Sequence, residues 1–290
     1  MIKSILIRLL RPLYRTLLTP RWREIIAQYR TGQVSEIDIE LFRHLENCDG
    51  DNCDGDNCDG LVIDAGANRG QFALSLLAIN HTIKVLSFEP NPALRWSLLL
   101  ISFLHPARFR FRMCGLGEKP QQMTLHVPVT RHMDLSSNAS LDASEFDKNY
   151  VQERLAGYSQ RAAGRYGFRQ RQARIIPLDE LRLSPLAIKI DVEGWELQTL
   201  RGMQQTIERC HPLLMIEINN LHRFMPWLQA MGYKFYVFDA KQQRLLGSDS
   251  GRGHLNIFAI HAQMPAALAE QIKPLLSAES CATDQSPAEN

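Results

Sequence analysis

Four acids stand where an acid could act on a ligand: Asp64 in "VIDAGANRG", Glu89 in "FEPNP", and Asp191 and Glu193 in "IKIDVEGWE". In the first stretch Gly66 lets the chain turn sharply off a strand, and Gly70 opens a helix whose first N–H groups are free. A dinucleotide-binding turn would read G-x-G-x-x-G, but Asp64 occupies the place of its first glycine. An acid there suits a cationic or hydroxyl-bearing ligand better than a phosphate. Glu89 follows 25 residues later, at a strand end where an acid can accept both hydroxyls of a ribose. A helix-capping or surface glutamate is the other reading of that position. In the third stretch strand periodicity puts Lys189 and Asp191 on one face, with Glu193 just beyond. Asp191 could take a proton from a reacting hydroxyl, or Asp191 and Glu193 could orient that hydroxyl or hold a divalent ion. Structural ion pairing with Lys189 is the plainer alternative. Glu217 and Asn219 are weaker candidates for the acceptor side.

These residues need a scaffold that brings strand ends together. "LVIDAG" is a continuous apolar run closing on Asp and Gly, as a strand buried on both faces would be. "QFALSLLAI" has helical spacing, "IKVLSFEP" is a second strand, and "PALRWSLLLISFL" a second helix with Pro92 near its start. "ARFRFRMCG" reads as a third strand, with "MTLHVPV" as a candidate hairpin piece after it. After an interruption over residues 131–174 the rhythm returns with "LAIKIDVEG", "WELQTLRGMQQTIERC", "LLMIEI" and "HRFMPWLQAMG". "YKFYVFD" and "HLNIFAI", joined by a turn-rich link, should pair antiparallel. The pattern predicts an α/β fold: seven strands, mostly parallel, with an antiparallel edge pair and helices on both faces. In such a sheet ligands bind beyond the carboxyl ends of the strands. "DAGANRG", "FEPNP", "CGLG", "DVEG" and "EINN" all fall there.

Together "VIDAGANRGQF", "VLSFEPNP" and "IKIDVEGWELQTLRGM", with "IIPLDEL" ahead of the last, resemble the FkbM family of S-adenosylmethionine-dependent methyltransferases. The resemblance covers roughly residues 61–260. It implies a class I methyltransferase (Rossmann-like) fold and methyl transfer to a hydroxyl of a sugar, glycan, glycolipid or polyketide-like acceptor. It places Gly66, Ala67, Asn68 and Gly70, after Asp64, around the methionine part of the cofactor. It puts Glu89 on the ribose with Asn91 close by, and Met113, Cys114 and Gly115 at the adenine. Met113–Cys114 departs from the small pair more usual in the family. Three rivals remain. A base-modifying nucleic-acid methyltransferase would carry an Asn- or Asp-Pro-Pro-aromatic stretch where "DVEG" stands. A nicotinamide-dependent oxidoreductase would keep the missing glycine. A catalytically silent cofactor-binding scaffold in glycan assembly would share every motif.

Composition sets the bounds. A chain of 290 residues, 45% hydrophobic and 22% charged, is enough for one large α/β domain with an appendage. A net charge of +2 does not suggest a nucleic-acid partner. Six cysteines do not make a disulfide framework, and no secretory signal is evident, so a cytoplasmic protein is expected. Residues 1–30 carry seven basic residues against one acid, with leucines and isoleucines at helical spacing. This basic amphipathic helix either lies on an anionic membrane surface or packs its apolar face on the domain. The predicted organisation is an N-terminal helical region (1–46) and an acidic linker (47–60), then a methyltransferase domain (61–262) with an acceptor-side insertion (131–174). A disordered tail (277–290) ends the chain. The linker "NCDGDNCDGDNCDG" fits neither a calcium loop, since Gly50 and Leu61 stand where its first and twelfth ligands belong, nor a zinc site, since it holds no second cysteine pair and no histidine. Residues 151–175 hold six arginines against one glutamate. They read either as forks for an anionic acceptor or as the outer face of a solvated helix.

Overall fold

The computed structural model describes residues 27, 31, 34–45, 60–129, 135, 139–147, 152–153 and 167–276. The 47–59 repeat, nearly all of the basic N-terminal stretch, Arg154, Arg161 and Arg165, and the tail lie outside the described residues. Among the described residues no helix is long and apolar enough to cross a membrane.

Five parallel strands form the centre: β1 (Leu61–Ala65), β2 (Lys84–Phe88), β3 (Phe109–Arg112), β7 (Ala187–Ile190) and β8 (Leu213–Glu217). They stand in the order β3-β2-β1-β7-β8, so β1 lies between the two halves where the direction of winding reverses. β11 (Asn256–His261) continues the sheet antiparallel to both β8 and β9 (Tyr233–Asp239). The β9–β11 pairing is therefore as the sequence predicts. An eighth strand, β10 (Arg244–Gly247), adds itself antiparallel to β9 at the edge, where the sequence suggests only a turn-rich link.

Alternation along the central strands sorts side chains onto two faces. Val62, Val85 and Ala187 join one apolar cluster with α1 (Gln71–Ile79) and α2 (Arg95–Leu104), and Ile63, Ile188 and Ile190 join another with α3 (Glu196–Arg201) and α4 (Gln204–Cys210). Polar residues on the strands meet by register: Asp64 stands opposite Ser87 on β2 and opposite Lys189 on β7.

Two regions differ from the predicted boundaries. Residues 34–45 are built into the domain rather than appended to it. A 3₁₀ helix, Ile37–His44, buries Ile39, Leu41 and Phe42 completely, and the Phe42 ring meets Phe72 edge-on at 5.6 Å. The second is the arginine-rich stretch, whose described part is a strand and not a helix. β6 (Gly167–Ile176) pairs antiparallel with β5 (Gln121–Val129) and parallel with the short β4 (Gly115–Leu116). This small second sheet carries Arg169, Arg171 and Arg174, and its Leu125, Val127 and Ala173 pack together with Ala139 and Leu141.

Candidate functional site

A cavity of about 350 Å³ opens beyond the carboxyl ends of β1, β2, β7 and β8, with Leu125, Ala139 and Leu141 of the small-sheet region forming part of its wall. Its shape begins with Gly66. With φ +87° the chain leaves β1 through a conformation that side-chain-bearing residues rarely adopt. Both Gly66 N–H and Ala67 N–H donate to the Phe88 carbonyl at 3.0 Å, which ties the turn to the end of β2. Asn68 also sits at positive φ, +51°, and its N–H donates to Glu89 Oε2 at 2.7 Å. The Asn91 N–H donates to Glu89 Oε1 at 2.7 Å. Glu89 is thus gripped at both oxygens by backbone while its carboxylate stands in the cavity wall. Burial pushes its pKa up to about 8, against the pull of those two N–H groups.

On the other side of Gly66 lies Lys189, 3% exposed. Its Nζ donates to Asp191 Oδ2 at 2.9 Å and stands 3.8 Å from Asp64 Oδ1. Burial alone would drive the ammonium down, but the charges of Asp191, Asp64 and Glu36 outweigh it and hold the group above the ordinary lysine value. Glu193, at φ +49°, presents its backbone carbonyl to Ser140 Oγ at 2.6 Å. That bond fastens the small-sheet region over the strand ends. Among the described residues, none hydrogen-bonds the buried Oε2 of Glu217, which closes β8. Burial, then the neighbouring charges of Asp191, Glu193 and Glu196, raise its pKa well above the usual carboxylate range.

Of the residues singled out from sequence, Gly66, Ala67, Asn68, Glu89, Gly115, Asp191, Glu193 and Glu217 line this cavity. Six others stand back from it, among them Asn219 in the 3₁₀ turn after β8. Asp64 is wholly buried, accepts a 2.7 Å bond from Ser87 Oγ, and serves the Lys189 charge from below. Gly70 matters for packing: a Cβ there would lie 2.2 Å from Ile101 of α2. Asn91 is buried and caps the short 3₁₀ turn after it, accepting from the Ala93 N–H at 3.1 Å. Met113 packs against the apolar cluster under α1 and α2, and Cys114 is buried in the other cluster. Burial raises the Cys114 thiol above its usual range.

Sequence reasoning misses Ser35 and Glu36, which line the cavity from the N-terminal segment. No local pattern marks them, because only the docking of Ile39, Leu41 and Phe42 carries them there. It also undervalues Lys189, whose spacing from Asp191 is visible but whose second acid partner comes from another strand. Among the described residues the charged lining is Glu36, Glu89, Asp191, Glu193 and Glu217 against Lys189 alone. Such a surplus of carboxylates favours a cationic ligand that also bears hydroxyls. Among the described residues no cluster of His, Cys, Asp and Glu is arranged to hold a metal ion.

The family model described as "Methyltransferase FkbM domain" matches residues 64–235. Methyltransferase sdnD of Sordaria araneosa is 27% identical over 166 residues, which are 50% of this chain and 60% of that protein. The chain thus matches less than two thirds of that relative's length. Among solved structures, methyltransferase FkbM from Methylobacillus flagellatus KT superposes with a TM-score of 0.45 and 16% identity, over 76% of this chain and 48% of the other. A precorrin-6y C5,15-methyltransferase from Geobacter metallireducens GS-15 superposes with a TM-score of 0.36 and 10% identity, over 77% of this chain and 84% of the other. The family match extends over more than half of the chain and includes the strand ends that carry Glu89, Asp191 and Glu217; this chain belongs to the methyltransferase FkbM domain family.

Proposed function

We propose that this protein is an S-adenosylmethionine-dependent O-methyltransferase acting on a hydroxyl of a sugar, glycan or glycolipid. One observation carries the reading: an acid-lined cavity at the switch point of a parallel sheet, with the backbone-gripped Glu89 carboxylate set in its wall. The residues fit that cofactor. Each Glu89 oxygen keeps acceptor capacity beyond its one backbone bond, as a ribose diol requires. The Gly66–Asn68 turn offers a cradle without bulk, and the surplus of acids suits a sulfonium. When bound, S-adenosylmethionine supplies an electrophilic methyl group.

The chain's own contribution is positioning and proton handling. Asp191, oriented by Lys189, accepts the proton of the acceptor hydroxyl, and Glu193 orients that hydroxyl from the next turn. Leu125, Ala139 and Leu141 offer an apolar part of the same cavity wall, which suits the C–H face of a sugar ring and helps keep water out of the reacting space. The arginines of β6 lie on the same small sheet, consistent with an anionic or lipid-linked acceptor. We place the reaction in the cytoplasm, in keeping with the free thiols of Cys114 and Cys210, with peripheral membrane contact through residues 1–30.

The test is transfer of label from methyl-labelled cofactor into a cell-envelope glycan extract, run beside calorimetric binding of S-adenosylhomocysteine. Transfer supports the enzyme. Binding without transfer into any glycan fraction favours a silent scaffold. Absence of binding overturns the cofactor assignment.

A further inference from the structure

We propose that Glu36 is the carboxylate that receives the α-ammonium group of the cofactor's amino-acid arm, and that Asn256 positions it. The inference rests on the cofactor reading above, and deepens it by assigning one end of the ligand to residues outside the matched stretch of 64–235.

The strand order supplies the direction. Gly115, beside Pro90, closes the cavity on the side of β2 and the small sheet, and Glu89 stands at the end of β2. A ligand with its adenine there and its ribose on Glu89 extends its remaining arm across Gly66 of β1 toward β7 and β8. The groups waiting at that end include Ser35, Glu36, Phe72, Lys189 and Asp191. Among the described residues, the ion pairs of Lys189 run to Asp64 and Asp191. Its one positive charge is therefore already divided between two acids before Glu36 is considered. Glu36 keeps a raised pKa, chiefly through burial, with Lys189 pulling the other way and Asp191 and Asp38 adding repulsion. A cation delivered by the ligand would relieve that arrangement. The buried Glu217 Oε2 on the same cavity, without a hydrogen-bond partner among the described residues, is in keeping with the same shortage of positive charge.

Glu36 is also built to stay in place. Asn256, the first residue of β11, donates through Nδ2 to Glu36 Oε2 at 3.1 Å and to Asp38 Oδ2 at 3.0 Å. Asn256 is 3% exposed and Asp38 likewise. The Ser35 N–H donates to Ser75 Oγ on α1 at 2.9 Å. The segment is thus pinned to α1 on one side of Glu36 and to β11 on the other, with Phe42 anchoring its far end. Such fastening on two sides is what a rigid recognition group needs.

The test compares two ligands that differ only by the arm. S-adenosylhomocysteine carries the α-ammonium, whereas 5′-methylthioadenosine keeps the adenosine and the thioether and lacks the amino acid. Calorimetry on the full chain is expected to show Glu36→Gln losing about tenfold or more in affinity for S-adenosylhomocysteine, the value of a charge-assisted hydrogen bond. Affinity for 5′-methylthioadenosine should stay within about twofold. Glu36→Asp, which keeps the charge, should recover part of the loss, and Asn256→Ala should show the same selective loss in smaller degree. Equal weakening of both ligands in Glu36→Gln would mean a structural role and overturns the proposal, as does unchanged binding of both. Wild-type protein that binds neither ligand overturns the cofactor reading itself, a result distinct from either.

Discussion

Gly66 and Asp191 meet backbone to backbone: a Cβ placed on Gly66 would lie 1.7 Å from the Asp191 carbonyl oxygen. The Asp191 N–H donates to the Ala65 carbonyl at 3.0 Å, so β1 and β7 remain zipped one residue past β7 and bring the two turns together. The acid proposed to handle the acceptor proton and the glycine proposed to shape the cofactor cradle are therefore one structural unit. Gly66→Ala is expected to cost at least about 2 kcal/mol, from a strained positive φ plus a clash with backbone that cannot rotate away. Urea unfolding checks the stability, and S-adenosylhomocysteine binding should fall with it. A variant of wild-type stability would show that the two turns can separate freely.

Among the described residues Lys189 is the only positive side chain on the cavity, and it is buried with Asp64 and Asp191. Lys189→Met would leave two acids facing each other without a counter-charge, a loss of about 3–5 kcal/mol. The double variant Lys189→Met with Asp64→Asn should recover part of that, since one of the two stranded charges is then gone. Denaturant midpoints of the two variants check the claim, and a double variant no more stable than the single would count against it.

Glu89 provides a pH prediction with a definite sign. Its folded pKa of about 8 lies above the usual carboxylate value because the group is buried. The native state therefore holds a proton that the unfolded chain releases, and stability from this group is full at pH below the unfolded value near 4.5. It declines as the pH rises toward about 8 and is gone above it. Asp64, Glu36, Glu196 and Glu217 shift in the same direction, so the wild-type slope is not Glu89's alone. The difference isolates it: stability of Glu89→Gln should fall less steeply with pH across this window than that of the wild type. Parallel slopes in the two proteins would remove Glu89 as the titrating group.

Phe42 tests whether the segment before the repeat belongs to the domain. It is fully buried against Phe72 of α1. Phe42→Ala should cost about 3–5 kcal/mol, as for other large core truncations, and should leave a single unfolding transition. It should also weaken S-adenosylhomocysteine binding, because Ser35 and Glu36 ride on the same segment. Unchanged stability would return residues 34–45 to the status of an appendage.

Much of the scaffold is legible in the residues alone. "LVIDAG" and "LAIKID" are continuous apolar runs because a parallel strand is covered on both faces, and that requirement is local. Glu89 and Asp191 are legible for a related reason, since a polar residue directly after such a run must sit at the rim of the sheet. The strand at 167–176 is not legible. Arg169, Gln170, Arg171 and Gln172 show no apolar alternation, and only Ala173, Ile175 and Ile176 near its end are buried. Pairing with β5, remote in sequence, makes it a strand.

Sequence by itself determined which residue types stand at the strand ends and in what order the strands occur, because burial on two faces and tight turns impose rules on neighbouring residues. Tertiary structure decided which of those polar residues reach the cavity. Asp64 has the right type and the right place along the chain. Its position in β1, between Ser87 and Lys189, nevertheless buries it as a counter-charge. Glu36 has no local mark at all, yet packing of an aromatic and aliphatic segment on α1 carries it to the rim. Register and long-range packing set these outcomes, and both depend on contacts between residues far apart in the chain, which no short stretch encodes.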